Sequence, residues 1–200
     1  MMKKIYLIAI LMFLLSGCSI TRPAITEYRL SLKDFSSKNY PNSCKDKSLK
    51  VSSAFSSNSL MTLEMNYMQD RHKIYSYSQS RWNNSPNQEI SSQIFSALRD
   101  AKIFDSVHNA KSRNKSDLIL EINIQDFMQY YSDDLSASYV NIAICFTLID
   151  AKTNKTMATK SFSAKKDVKS LDAAGGVEAL DTALGEIIDE SLDFLSGVCL

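Results

Sequence analysis

The chain has 200 residues, with 23 Lys and Arg against 22 Asp and Glu, a formal charge of +1. That balance excludes the basic footprint of a general nucleic-acid binder. Apolar residues make up 44% of the chain, with only 5 Gly and 3 Pro, which excludes a disordered stalk and indicates a folded domain.

Lys3 and Lys4 precede an unbroken apolar run from Ile5 to Leu15. A bilayer-spanning helix needs about 20 apolar residues, so this shorter run reads as the core of a signal peptide. Leu15-Ser16-Gly17-Cys18 follows. This is a lipobox: small residues admit the lipoprotein signal peptidase, and the cysteine thiol accepts diacylglycerol. The A-x-A-like site of an ordinary signal peptide is absent. Residues 1–17 are therefore expected to be removed and Cys18 to be lipidated, with palmitate among its acyl chains. Two or three acyl chains hold a protein stably at a membrane where one binds only reversibly. Ser19 stands where an Asp would retain a lipoprotein at the inner membrane, so the periplasmic side of the outer membrane is expected over the inner. Without Lys3 and Lys4 the basic total of 23 becomes 21 against 22 acidic residues, and the mature chain is close to neutral. Residues 18–26, aperiodic and containing Pro23, suit a tether, leaving 27–200 as one periplasmic domain large enough to bury a substantial core.

Tyr28, Leu30 and Leu32 alternate with polar residues, as do Leu49, Val51, Ser53 and Phe55, and both segments read as strands separated by a polar loop from Ser36 to Lys47. A third extended segment runs from Arg71 to Trp82. Between these last two, Met61, Met65, Tyr67 and Met68, together with Tyr75, Tyr77 and Trp82, concentrate adaptable and aromatic side chains within 23 residues. Such clusters form binding surfaces, and they also fill cores. Ser85-Pro86-Asn87-Gln88 is a helix start in which Ser85 caps, Pro86 fits the first position and Gln88 completes a capping box. Ile90, Ile94, Phe95, Leu98 and Ala101 then form one apolar stripe.

The clearest strand is Leu118 to Gln125, followed by Val140 to Ile149 and, after the turn residues Asp150 to Lys155, an antiparallel return from Thr156 to Ala164. Val177, Leu180, Leu184, Ile187, Ile188 and Leu195 mark a second amphipathic helix reaching Gly197. The order β-β-β-α-β-β-β-α indicates an α+β domain, with a mainly antiparallel sheet and two helices packed on one face.

Cys18 is consumed by lipid, and an exported chain meets an oxidising compartment. Cys145 lies inside an apolar strand, whereas Cys44 and Cys199 lie in polar or terminal segments, so a Cys44 to Cys199 disulfide is expected. Closing so long a loop is worth about 4 to 5 kcal/mol in the chain-entropy description. No C-x-x-C pair occurs and His72 and His108 are far apart, so no metal or other cofactor is expected. Neither histidine has a carboxylate or thiol at a diagnostic spacing. Ala174-Gly175-Gly176 precedes the last helix but follows no βαβ pattern and has no Lys after it, which argues against a phosphate cradle. Asp133-Asp134 fits a solvated turn. No catalytic residues are assigned, and an enzyme is not expected. Six lysines between Lys152 and Lys169 precede seven acidic residues and no basic one from Ser170 to Leu200. Solvated faces of a neutral protein account for both.

The lipobox, a first strand with a Tyr-x-Leu start, the stretch Arg71 to Tyr77 leading into Arg81-Trp82, a proline-started helix, Ile103-Phe104-x-x-Val107, Asp117-Leu118-x-Leu120 and a final helix near Gly176 occur in this order. The order resembles the ABC-type transport auxiliary lipoprotein family, the PqiC/YmbA-like group, over nearly the whole mature chain. The resemblance implies a non-catalytic accessory of an MCE-type system, in which an ABC transporter and a periplasmic MCE-domain protein move phospholipids between inner and outer membranes. It implies the MCE-domain protein as partner, with Tyr75, Tyr77, Arg81 and Trp82 as partner-binding candidates, and the membrane contacted through the lipid anchor. Homo-oligomerisation stays open. The alternative is a lipoprotein of another envelope machine, such as an LptE-like outer-membrane assembly factor.

Overall fold

The computed structural model describes residues 23–32, 40, 44–70 and 72–199. Cys18 and segment 1–17 lie outside these residues. Nine strands, β1 (Thr26–Tyr28), β2 (Cys44–Val51), β3 (Phe55–Ser56), β4 (Glu64–Gln69), β5 (Lys73–Trp82), β6 (Phe104–Asn109), β7 (Leu118–Tyr131), β8 (Ser138–Asp150) and β9 (Lys155–Asp167), form one sheet. Among the described residues two helices, α1 (Pro86–Ala101) and α2 (Ala173–Ser196), join them, and one short 3-10 turn spans Asn58–Leu60. No described helix is long and apolar enough to cross a membrane.

The sheet is built on β7. Its alternation buries Leu118, Leu120, Ile122 and Ile124, while Glu121 and Asn123 face solvent. β8 pairs with it antiparallel along its whole length and buries Val140, Ile142, Ile144, Phe146 and Leu148 in register. Cα partners across a ladder point to the same side, so these two rows make one apolar face. Ile90, Ile94 and Leu98 of α1 and Leu180, Leu184, Ile187, Ile188 and Leu192 of α2 join the same core cluster. Each such side chain, once fully buried, contributes about 1.5 to 3 kcal/mol. Phe146, Phe162 and Phe194 continue the contact edge to face from β8 through β9 into α2.

Several expectations need correcting. The sheet is mixed: β4–β5, β7–β8 and β8–β9 are antiparallel, but β1–β5, β2–β6, β2–β7, β3–β7 and β4–β7 are parallel. Five strands precede α1 and four separate it from α2, which replaces the simpler order. β4 and β6 were not expected, because Glu64–Gln69 and Phe104–Asn109 lie against neighbours that leave most of their residues half-buried, and neither alternates. The expected strand from Leu49 to Phe55 breaks at Ser52–Ala54. There Ser52 N donates to Leu120 O at 2.9 Å and Ala54 N to Ser91 Oγ at 2.9 Å, and the break turns Phe55 outward to 70% exposure. The loop ends early, since β2 already starts at Cys44. Residues 33–39, 41–43 and Arg71 lie outside the described residues. β7 runs six residues past Gln125, beyond a register shift between Ile124 and Asp126. Ser85 does not cap α1 with its side chain; its hydroxyl donates to Asn87 Oδ1 at 2.8 Å, and its carbonyl accepts from Gln88 N and Glu89 N.

The β8–β9 turn forms where its residue types demand it. The Asp150 carboxylate accepts from Lys152 N at 3.0 Å and Thr153 N at 2.7 Å, and Asn154 takes the left-handed backbone that Asn tolerates. Asp172 caps α2 by accepting from Gly175 N at 2.8 Å, a bond to the charged form that holds its carboxyl below the usual carboxylate range. Cys44, at the start of β2, and Cys199, past the end of α2, are joined by a disulfide with Cα atoms 5.3 Å apart, and Cys145 is free and half-buried.

Gly176, in the first turn of α2, comes so close to β7 that a Cβ there would meet Gln129 Oε1 at 2.1 Å. Gln129 is only 3% exposed and is held by hydrogen bonds, so it cannot swing clear cheaply.

Two outcomes follow. Mass spectrometry of the mature protein under non-reducing conditions will find one free thiol, Cys145, and reduction will lower unfolding stability by about 4 to 5 kcal/mol; three free thiols would contradict the bridge. Gly176→Ala will destabilise in denaturant titration by about 1 to 3 kcal/mol through overpacking. Gly185→Ala, with nothing within 4 Å of the new Cβ, will instead stabilise by about 0.5 to 1 kcal/mol, the ordinary helix-propensity gain.

Candidate functional site

β4 and β5 fold back on each other through a turn in which Asp70 adopts left-handed backbone at φ 63°. The hairpin sits beside the far end of β7, with Tyr67 level with Tyr75 on one side and Gln129 on the other. Cross-strand partners share a face and residues two apart share it too. Tyr67, Tyr75 and Tyr77 therefore gather over one patch, and Tyr131 joins from β7. Ring centroids lie 5.6 Å from Tyr67 to Tyr75, 4.7 Å to Tyr77 and 5.2 Å to Tyr131, in stacked, tilted and edge-on arrangements respectively. These are the distances at which aromatic quadrupoles attract.

Polar tips lock the rings. Tyr77 Oη donates to Gln129 Oε1 at 2.9 Å, so in its 2.7 Å contact with Tyr131 Oη the proton comes from Tyr131. Gln129 Nε2 donates to Ser138 Oγ at 2.9 Å, and Ser138 Oγ donates to the Tyr130 carbonyl at 2.9 Å. Burial, reinforced by the contact with Tyr131, raises the Tyr77 phenol well above its ordinary value. Burial raises Tyr131 as well. Both phenols stay protonated and act as donors.

On the other face of the same strands Tyr130 stacks on Tyr139 at 5.1 Å, with Lys165 Nζ 3.6 Å from the Tyr139 ring centroid. Tyr130 Oη and Asn141 Nδ2 both donate to Asp126 Oδ2 at 2.7 Å. These contacts tie β7, β8 and β9 together.

Of the four candidates read from the sequence, the structure brings together Tyr75, which is 42% exposed, and Tyr77, which is half-buried behind it. Trp82 is 5% exposed and packs on Phe127 at 5.9 Å in the core. Arg81 donates from Nε to Glu27 Oε1 at 3.1 Å while Asn83 holds Glu27 Oε2 at 2.9 Å, pinning β1 to β5 at the opposite end of the strand from Tyr75. Tyr131, Gln129 and Ser138 were missed. The signal for them is weak, because the register shift after Ile124 reverses which residues of β7 face inward. His72 sits exposed in the β4–β5 turn and His108 is half-buried on β6 beside Lys50. Among the described residues no group of three or more His, Cys, Asp or Glu is placed to hold a metal.

The architecture matches solved proteins at low sequence identity. Protein XCC0632 from Xanthomonas campestris superposes with a TM-score of 0.75 at 17% identity, covering 84% of this chain and 94% of that one. A second solved protein, described only as uncharacterized, gives 0.66 at 12% identity over 85% of this chain and 97% of its own. At these identities the likeness is one of fold. Among curated proteins no sequence matches the chain. The family model for the ABC-type transport auxiliary lipoprotein component matches residues 28–190. With that model spanning β7, β8, the tyrosine hairpin and most of α2, the chain belongs to the ABC-type transport auxiliary lipoprotein family.

Proposed function

We propose that this protein is the lipid-anchored, non-catalytic accessory of an MCE-type ABC phospholipid transport system. It is tethered to the periplasmic side of the outer membrane through Cys18 and binds the periplasmic MCE-domain component. Membership of the auxiliary family carries this reading, and the lipobox at Cys18 supplies the anchor. The tyrosine hairpin gives it a partner-binding candidate: Tyr75 is displayed on a backing of Tyr67 and Tyr77. Tyrosine on a rigid support offers large contact area at low entropic cost, the character of an interface anchor. Trp82 leaves the partner-binding set because it lies in the core, while Arg81 is exposed and paired with Glu27 at the other end of β5 and stays a candidate. The MCE partner, the outer-membrane location and the absence of chemistry are parts of this proposal.

The test is photocrosslinking from intact membranes with a reactive side chain at position 75. Recovery of an MCE-domain protein is expected; recovery of an outer-membrane barrel in its place would favour an assembly role of the LptE-like kind and remove this reading. Two substitutions separate surface from core. Tyr75→Ala will cost about 0.5 to 1.5 kcal/mol through the lost stack on Tyr67 and weaken partner capture, whereas Trp82→Ala will cost about 3 to 5 kcal/mol of stability. Cys18→Ser will leave the domain folded and abolish support of transport; full function from an unlipidated chain at normal abundance would show that tethering is dispensable.

A further inference from the structure

Among the described residues, one end of the sheet displays large apolar side chains that are about half exposed. Ile74 at the start of β5 is 56% exposed, Leu135 at the tip of the β7–β8 loop 47%, and Leu171 between β9 and α2 46%. Register places them together: β4 ends beside Tyr131, Tyr131 pairs with Ser138 across the loop that carries Leu135, and Val168 N donates to Ser138 O at 2.9 Å. Leu135 sits at φ 58°, a left-handed backbone that favours Gly or Asn. The loop is braced beneath it. Asp134 Oδ1 accepts from Ser132 Oγ at 2.6 Å, Ser136 Oγ at 2.8 Å and Ser136 N at 3.1 Å. A leucine is thus held outward at a position whose backbone would be better served by glycine.

The N-terminal end of β1 faces the same side. β1 runs parallel to β5 with Thr26 beside Ser80, so residues before Thr26 approach from the direction of the start of β5. Strands advance about 3.3 Å per residue. Eight residues separate Thr26 from Cys18 and seven separate Ser80 from Lys73, so the eight-residue length, at most roughly 26 Å, is enough for Cys18 to reach the level of the hairpin end. Reaching beyond the other end of the sheet would require the tether to reverse its direction. Charges of both signs surround the apolar residues: Lys73 lies 3.6 Å from Asp70, and Asp133, Asp134 and Lys169 are exposed nearby. Such a surface has no preference for a strongly anionic partner.

We propose that this end rests on the phospholipid bilayer that holds the anchor, with Leu135 and Ile74 entering the boundary between headgroups and acyl chains. The inference rests on lipidation of Cys18 and extends it by giving the domain an orientation. The opposite end, with the β8–β9 turn, then points away from the membrane.

The test uses the full-length, lipidated protein reconstituted into vesicles of phosphatidylethanolamine and phosphatidylglycerol. Leu135→Cys, Ile74→Cys and, at the opposite end, Lys152→Cys are each introduced beside Cys145→Ala and labelled with a polarity-sensitive NBD fluorophore. Labels at 135 and 74 are expected to shift to shorter wavelength on reconstitution, little affected by salt, and to be quenched by aqueous iodide at least twofold more weakly than the label at 152. Equal quenching at the three positions, or protection at 152, overturns the orientation. Protection at 135 and 74 in detergent without vesicles, rising with protein concentration, assigns the surface to a second copy and overturns it too. The mass of the mature N-terminus separates the two readings: an unacylated chain removes the anchor and the inference together, whereas an acylated chain without protection at 135 and 74 removes the orientation alone.

Discussion

The pairing of β7 with β8 is the contact on which the rest of the structure depends. Thirteen residues of β8 run antiparallel to β7 without a gap, and the other edge of β7 takes β2, β3 and β4 in succession, all parallel to it. Each of those three pairings spans only two or three residues. None would persist alone, since short ladders bury too little to offset the ordering of the chain. They hold because β7 is already fixed by β8 on one edge and by two helices over one face.

The extra residue between Ile124 and Asp126 links that framework to the candidate site. Before it the even-numbered residues of β7 are buried; after it Phe127 and Gln129 face inward while β8 keeps its own alternation. A bulge of this kind re-aims side chains at a chosen point. Here it turns Gln129 under the start of α2, where Gly176 makes room, and it sets Tyr131 toward the hairpin tyrosines. Helix start, strand end and hairpin are thereby joined through one amide whose oxygen serves Tyr77 and whose nitrogen serves Ser138. Buried polar networks are stable when each member is satisfied, and this one makes the support behind Tyr75 stiff.

The same end of the molecule therefore holds both the tyrosine patch and the exposed apolar tips. A protein tethered by a short segment cannot present every face equally, and the anchor proposed at Cys18 would restrict which surfaces meet the bilayer and which meet the proposed partner. On the proposed orientation Ile74 and Tyr75, successive residues of β5, point to opposite faces, so Ile74 meets the bilayer while Tyr75 stays available to a partner beside it.

Much was legible in one dimension because the responsible signals are local. α1 announces itself through Pro86 and its apolar stripe; β7 and β8 show period-two burial long enough to stand out; the Asp150–Lys155 turn is written in its residue types. What stayed hidden depends on neighbours distant in sequence. β4 and β6 have no alternation of their own and are strands because β7, β5 and β2 supply their hydrogen-bond partners. Trp82 and Tyr75 look equivalent in a run of aromatics, and only their places along β5, one over Phe127 and the other near the hairpin tip, send one to the core and the other to solvent. The amino-acid sequence thus determined the two helices, β7, β8 and the turn that follows it, whose information lies within one turn or one strand. Tertiary structure decided strand direction, the parity of β7 beyond its bulge and which aromatic rings face outward, because each of these is set by register between segments that meet only once the chain has folded.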